Sequence, residues 1–395
     1  MLNNMSKIPL IKSTFYQEEA TKNELIKFIK NSKKLSMGSE CRKFEEMFSK
    51  FQNTSKSLLC NSGSSANLLL IQALLNLNWL KKGDNVAFSA VTWSTNVMPL
   101  LQLGLNAIPV DVSPETLNSS SVNLANVISK YNIKAFFITN VLGFCSDLDQ
   151  INELCNKKNI FLLEDNCESF GSIYKGNKLG NYGLASTFSF FVGHHLSAIE
   201  GGVVCTKNHE LADMLTIVRA HGWGRNLMDD KREKLKKEWN IKSFYDQYTF
   251  YHLGYNLRPT EITGFLASNQ LKYANEIIKI RQNNFLTLID EININDEFEN
   301  IEYDHMDLVS NFAIPVICKN KKVLKKYVER METLNIEIRP LVSGNITKQP
   351  FFQKYNLQNI DLSGANKIHE CGFYMPNNPD LTKEDLKLIK KSLGK

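Results

Sequence analysis

From about residue 55 the chain alternates short apolar runs with longer segments whose apolar positions recur every three or four residues. The pattern predicts a helix over 65–80, a strand over 85–89 after the Lys82-Gly83-Asp84 turn, a helix over 94–103 and a strand over 107–112. It continues with a helix over 122–130, a strand over 135–139, a helix over 148–158 and a strand over 160–163. Strands separated by crossover helices predict an α/β fold, a mainly parallel sheet flanked by helices on both faces. Such sheets bind ligands beyond the carboxyl ends of their strands. That rule singles out the loops 60–65, 89–94, 140–146 and 164–170.

The character changes after residue 264. A long helical pattern over 264–288 leads into an acidic, Asn-rich connector over 290–304. Beyond it the pattern predicts a strand over 311–318, a helix over 321–334, a strand over 336–341 and a helix over 383–393. Thr382, with Asp385 three residues on, is the expected N-cap of that last helix. The expected organisation is a large α/β domain over 15–275 and a smaller C-terminal α+β domain over 276–395, which residues 1–14 join.

Composition narrows the function classes. Of 395 residues, 43% are hydrophobic and 22% charged, which suits one large core and a smaller one. Twenty-three Phe and 13 Tyr exclude a mainly disordered chain. A net charge of +6 is too thin for a dedicated nucleic-acid binder, although it suits an anionic small molecule. Eight scattered Cys without a CxxC read as reduced thiols and show no zinc or iron–sulfur spacing. No apolar run is long enough to span a bilayer, and the first 15 residues carry no secretory pattern. The expectation is a cytoplasmic protein with no membrane partner and no metal.

Four segments could carry chemistry. Asn61-Ser62-Gly63-Ser64-Ser65-Ala66-Asn67 lies between an apolar strand and a helix. Gly63 allows close backbone approach, and Ser64 and Ser65 put hydroxyls beside free helix amides, which makes a phosphate cradle. An ordinary Gly/Ser turn with a Ser cap would read the same. Leu162-Leu163-Glu164-Asp165-Asn166-Cys167-Glu168 ends a strand in acids, suited to holding a cation or a protonated ring nitrogen, or simply to capping a helix. After Ser186-Thr187-Phe188-Ser189 and an aromatic run come His194 and His195. Adjacent side chains diverge and no further ligand lies nearby, so one proton-transferring and one structural His is the better reading than a metal. Gly254-Tyr255-Asn256-Leu257-Arg258-Pro259-Thr260-Glu261 reads as a helix start with Pro259 at its first position, leaving Asn256 and Arg258 free for another purpose.

Taken in this order, the segments resemble the DegT/DnrJ/EryC/StrS family of sugar aminotransferases, from about residue 9 to the C-terminus. The resemblance implies the fold-type I architecture of enzymes that use pyridoxal 5′-phosphate (PLP). It implies that Gly63, Ser64, Ser65 and Ser189 bind the cofactor phosphate and that Trp93 stacks on the pyridine ring. Asp165 would pair with the ring nitrogen, and Glu168 stands near the ring where the aminotransferases usually have Gln. Asn256 would reach the phosphate of the neighbouring subunit, so the implied unit is a homodimer with a shared active site.

One departure decides the expected reaction. Counting from Ser189, the position of the lysine that binds PLP covalently is His194, and no Lys occurs between Lys178 and Lys207. With Glu168 after Asp165, this looks like the family's 3-dehydratases of nucleotide-linked 4-keto-6-deoxyhexoses. One branch of these carries an iron–sulfur cluster held by four Cys. No Cys lies between Cys205 and Cys318, which favours the cluster-free branch acting on a GDP-linked 4-keto-6-deoxymannose. Ile338-Arg339-Pro340 resembles that branch too and assigns Arg339 to the sugar-nucleotide pocket; Arg258 is the candidate substrate contact for glutamate. The resemblance implies that L-glutamate converts PLP to pyridoxamine 5′-phosphate (PMP). PMP then takes up the 4-ketone, and His194 moves the proton that lets the C3 hydroxyl leave, in 3,6-dideoxysugar and polysaccharide biosynthesis. A CDP- or dTDP-linked substrate, a sugar-nucleotide aminotransferase and a silent PLP-fold binding protein are the competing expectations.

Overall fold

A computed structural model describes residues 7–355 and 360–394, so residues 1–6 of the expected small domain lie outside the described residues. Two helices, Glu18–Asn31 and Ser39–Gln52, precede the first strand. Then follow β1 (Lys56–Cys60), β2 (Asn85–Ser89), β3 (Asn106–Val110), β4 (Ile133–Thr139) and β5 (Phe161–Asp165). A short hairpin, β6 (Ile173–Tyr174) and β7 (Asn177–Lys178), leads to β8 (Ala185–Ser189) and β9 (Gly202–Thr206).

Seven of these strands form one sheet in the order β1-β9-β8-β5-β4-β2-β3. The pairs β8-β5, β5-β4, β4-β2 and β2-β3 are parallel, while β9 runs antiparallel to both β1 and β8. Near-continuous apolar strands are what a sheet covered on both faces requires. Val86, Ala87, Phe88, Ala135, Phe136 and Phe137 are all fully buried. The α/β expectation therefore holds, with strand 85–89 and helix Leu148–Lys158 at the predicted bounds.

Several boundaries differ for local reasons. The helix expected over 94–103 is a 3-10 turn, Ser94–Asn96, followed by Met98–Gln102, whose first turn holds Pro99. The pattern over 264–288 covers two helices, Glu261–Leu271 and Ala274–Ile294. Most of the first is buried all round, so apolar spacing runs through the junction without marking it. Pro259 is not the first helical residue. Thr260 caps the helix by accepting from Thr263 N at 3.1 Å. Glu261 instead accepts from Glu40 N (3.0 Å) and Cys41 N (3.2 Å), capping the helix Ser39–Gln52.

The C-terminal region begins with β10 (Met306–Leu308), which pairs with β6. Beyond it β11 (Ala313–Ile317), β12 (Arg339–Pro340) and β13 (Gly372–Pro376) form an antiparallel sheet in the order β11-β13-β12. The strand expected over 336–341 shrinks to two residues because Ile336 pairs with Ile8 instead. Helices Lys321–Thr333 and Lys383–Leu393 bury Tyr327, Met331, Ile389 and Leu393. Thr382 and Asp385 close the predicted capping box at 2.9 and 3.1 Å. Apolar residues of both regions, among them Ile108, Phe136, Phe285, Ile314 and Phe373, share one continuous core that fixes the cleft between them. Among the described residues, no helix is long and apolar enough to cross a membrane.

Candidate active site

A cavity of about 480 Å³ opens at the carboxyl ends of β1, β5 and β8. The last residues of β5 and β8, Asp165 and Ser189, and the segments that follow the three strands, with Ser62, Gly63, Ser64, Glu168 and His194, form its wall. Trp93 enters after β2, and Arg339 and Tyr374 of the small sheet, with Phe312 just before β11, close it from the other side. Eight of the sequence-predicted site residues thus converge on one space: Gly63, Ser64, Trp93, Asp165, Glu168, Ser189, His194 and Arg339.

The floor is a helix N-terminus. Ser62 caps Gly63–Asn76 by accepting from Ser65 N at 3.0 Å. No acidic side chain occupies the first turn, so the positive end of the helix is left for an external anion. Ser65 closes this cap, with its N and Oγ both bonded to Ser62 Oγ, and does not line the cavity. A Cβ on Gly63 would lie 2.5 Å from Ser189 Cβ, so only glycine lets the turn pack against the Ser189 loop. Gly202 is similarly constrained, since a Cβ there would lie 2.2 Å from Ser62 O.

Strand alternation separates the acids of β5. Glu164 faces away from the cavity and accepts from Gly180 N, Tyr182 N and Gly183 N, each at 2.8 Å. Asp165 is 3% exposed and lines the cavity. Its Oδ2 accepts from Asn67 Nδ2 (2.9 Å) and Asn96 Nδ2 (2.7 Å), and its Oδ1 from Cys167 N (2.9 Å). Four acceptor positions and three donors leave one for a ligand N–H. Glu168 accepts from Leu142 N at 2.9 Å. Burial, reinforced by the Asp165 charge, raises its carboxyl to about 8.

The two histidines part company. His194 lines the cavity, its ring centroid 5.5 Å from that of Phe312 and 6.0 Å from that of Phe191. Burial lowers its imidazole to about 4, against the opposing pull of Asp165, so the ring is neutral and basic in form at neutral pH. His195 is 5% exposed, turns away, and bonds through Nε2 to Ser310 O at 3.1 Å.

Two expected residues lie outside this cavity. Asn256 is exposed and accepts from Arg258 Nε at 2.9 Å. Arg258 sits over the Trp223 ring at 5.6 Å rather than at the cavity wall. Arg339 reaches the wall while paired with Glu337 at 2.5 Å. Sequence reasoning missed three contributors. Asn67 lies one helical turn after Gly63, a spacing that could have revealed it, whereas Asn96 and Arg281 carry no local signal. Among the described residues no cluster of His, Cys, Asp or Glu is arranged to hold a metal, and all eight cysteines are free.

The chain matches known proteins over nearly its whole length. The profile of the DegT/DnrJ/EryC1/StrS aminotransferase family matches residues 16–393. A Yersinia pseudotuberculosis relative named GDP-4-keto-6-deoxy-D-mannose 3-dehydratase is 34% identical over 397 residues, covering 99% of each chain. A crystal structure of GDP-4-keto-6-deoxymannose-3-dehydratase, a histidine-to-asparagine mutant with bound GDP-perosamine, superposes with a TM-score of 0.89 at 31% identity, covering 98% of this chain and 100% of that one. Another structure of that enzyme, with a trapped PLP-glutamate geminal diamine, gives 0.88 at 30% identity over 98% and 100%. A match that runs over nearly the whole length places the protein in the DegT/DnrJ/EryC1/StrS aminotransferase family.

Proposed function

We propose that this protein is a PLP- and PMP-dependent 3-dehydratase of GDP-4-keto-6-deoxy-D-mannose that uses L-glutamate as nitrogen donor. One observation carries the reading: a neutral imidazole, His194, shares a cavity with Asp165 and an anion-accepting helix N-terminus, and among the described residues no lysine lines that cavity. The residues present fit the cofactor. The amides of Gly63 and Ser64 and the Ser189 hydroxyl suit its phosphate, the 54% exposed Trp93 offers a ring face, and the open acceptor of Asp165 suits a pyridinium N–H. Bound there, the cofactor supplies an amine carrier and an electron-withdrawing ring.

His194 then does the proton work. Neutral at pH 7, it would accept a proton from C4′, the cofactor carbon that bears the amine. With its conjugate acid near 4, it returns that proton readily to the departing C3 hydroxyl oxygen. Lysine would instead hold the cofactor covalently and favour return of the amine. Arg339 balances charge on the sugar nucleotide, and Arg258, outside this chain's cavity, is the candidate contact for glutamate. Asn256, on the exposed face of the 250–260 segment, supports a homodimer in which it reaches the partner's phosphate site. The division at 275/276 and a cytoplasmic setting, which suits the eight free cysteines, complete the reading.

Incubation of GDP-4-keto-6-deoxymannose with the protein, PLP and L-glutamate, followed by mass spectrometry, tests it. Loss of one oxygen with release of ammonia and 2-oxoglutarate is expected. An oxygen-retaining amino sugar would mean an aminotransferase. Turnover of the CDP- or dTDP-linked hexulose alone would move the nucleotide assignment, a course in keeping with a 30% identical relative named dTDP-4-dehydro-2,6-dideoxy-D-glucose 3-dehydratase.

Two variants probe the cofactor contacts. Gly63→Ala pushes a methyl against Ser189 and is expected to cost about 1–3 kcal/mol of stability. It also removes most of the melting-temperature gain on adding PLP, read by parallel thermal scans. Glu168 replaces a glutamine, a hydrogen-bond donor, and can donate only while protonated. Because burial raises its carboxyl to about 8, kcat should fall as pH rises through that value. Glu168→Gln should remove this alkaline fall, and a pH–rate profile that keeps it would assign the limb to another group.

A further inference from the structure

Arg281 projects from the helix Ala274–Ile294 and is only 4% exposed. Its Nη2 donates to the main-chain oxygen of His194 at 3.3 Å. Its Nη1 donates to Phe312 O at 3.1 Å and to Asn377 O. Phe312 directly precedes β11 and Asn377 directly follows β13, so one guanidinium ties the His194 loop to the adjacent ends of two strands of the small sheet. Asn377 Nδ2 locks the junction by donating to Arg281 O (3.2 Å) and to Asn311 O (2.9 Å). The Phe312 ring meanwhile packs on the His194 ring. Backbone and imidazole of His194 therefore rest on the same support.

Among the described residues no carboxylate lies within ion-pair distance of Arg281, although the Asp380 charge acts on it, and its Nε is buried without a partner. A buried cation held by carbonyls, with Asp380 acting on it only beyond ion-pair distance, is costly, and an apolar side chain could fill the space. What the guanidinium adds is a rigid fork of directed donors. We propose that Arg281 is a positioning residue that holds the main chain at His194, and so sets how the imidazole enters the active cavity. This rests on His194 being the proton carrier. The charged groups facing that imidazole are Asp165 from β5 and Arg281 itself; Glu168, Glu200 and the Glu337–Arg339 pair line the same cavity, and neutral His195 adjoins it. Arg281 opposes protonation of His194 and Asp165 favours it.

Two substitutions separate geometry from charge. Arg281→Lys keeps a cation but loses the fork, and Arg281→Met removes both. Arg281→Lys is expected to lower kcat on the order of 10²-fold, the scale of a small misplacement of a reacting group. KM for the sugar nucleotide should stay within about twofold, since no substrate contact is removed. In histidine-15N NMR of the protein without cofactor, Arg281→Met should move the His194 titration to higher pH, and Arg281→Lys should change its chemical shift with little movement of the midpoint. Wild-type kcat and an unchanged His194 resonance in Arg281→Lys would overturn the proposal, and this variant decides the matter if Arg281→Met fails to fold. The NMR changes without any dehydration by the unsubstituted protein would leave the positioning role intact and discard the functional reading instead.

Discussion

His194→Asn loses dehydration by a factor on the order of 10²–10⁴, the usual contribution of a positioned acid–base group, while the protein still binds PLP. Asparagine keeps polarity at the cavity wall but can neither take the C4′ proton nor protonate the departing hydroxyl. Phosphate, ring-face and ring-nitrogen contacts come from Gly63, Ser64, Ser189, Trp93 and Asp165, none of which the substitution touches. Absorbance of bound PLP and product analysis after glutamate and GDP-4-keto-6-deoxymannose are added report the two effects separately. His195→Asn is the matched control. It loses the bond to Ser310 O in a buried setting, which costs about 1–3 kcal/mol of stability, while the proton carrier remains. Equal loss of turnover in the two variants, at equal folded fractions, would sink the division of labour between the adjacent histidines.

That division illustrates what a sequence exposes. Tandem histidines, the Gly/Ser turn and the acids after β5 announce themselves because each breaks an apolar run at a strand's carboxyl end. Alternation along β5 could even have separated Glu164 from Asp165, since neighbouring strand residues face opposite sides. The supports of these groups are quieter. Asn67, Asn96 and Arg281 act across 98, 69 and 87 residues of chain respectively, and apart from the one-turn spacing of Asn67 from Gly63 nothing local marks them. The same holds for Glu261, which looks like a first-turn acid of its own helix yet caps another 221 residues away. The break between Glu261–Leu271 and Ala274–Ile294 falls inside an unbroken apolar pattern, with neither Pro nor Gly to announce it. Asn256 is a different case, because its expected duty lies on another subunit and a single chain leaves it at the surface.

Asp165→Asn should be more damaging than its small change in shape suggests. The carboxylate gathers two side-chain amides and one main-chain amide, all donors, from Asn67, Asn96 and Cys167. An asparagine must turn its own NH2 toward at least one of them, because the two Oδ2 partners already take one oxygen and Cys167 N takes the other. A buried donor facing a donor costs about 1–3 kcal/mol, so the melting temperature falls even without cofactor. The chemical penalty is separate. Without a negative charge at 165 the cofactor ring nitrogen is not held protonated, and the ring no longer draws electrons from C4′. Turnover is expected to drop on the order of 10²–10³-fold or more, as for loss of a preorganised charge-stabilising group. Asn67→Ala isolates the structural share, since it removes one anchor and leaves the charge. If the two variants lost activity equally at matched folded fractions, the carboxylate would matter only as a link in the hydrogen-bond network. A large excess loss in Asp165→Asn, with PLP still bound, assigns the difference to the charge under the ring.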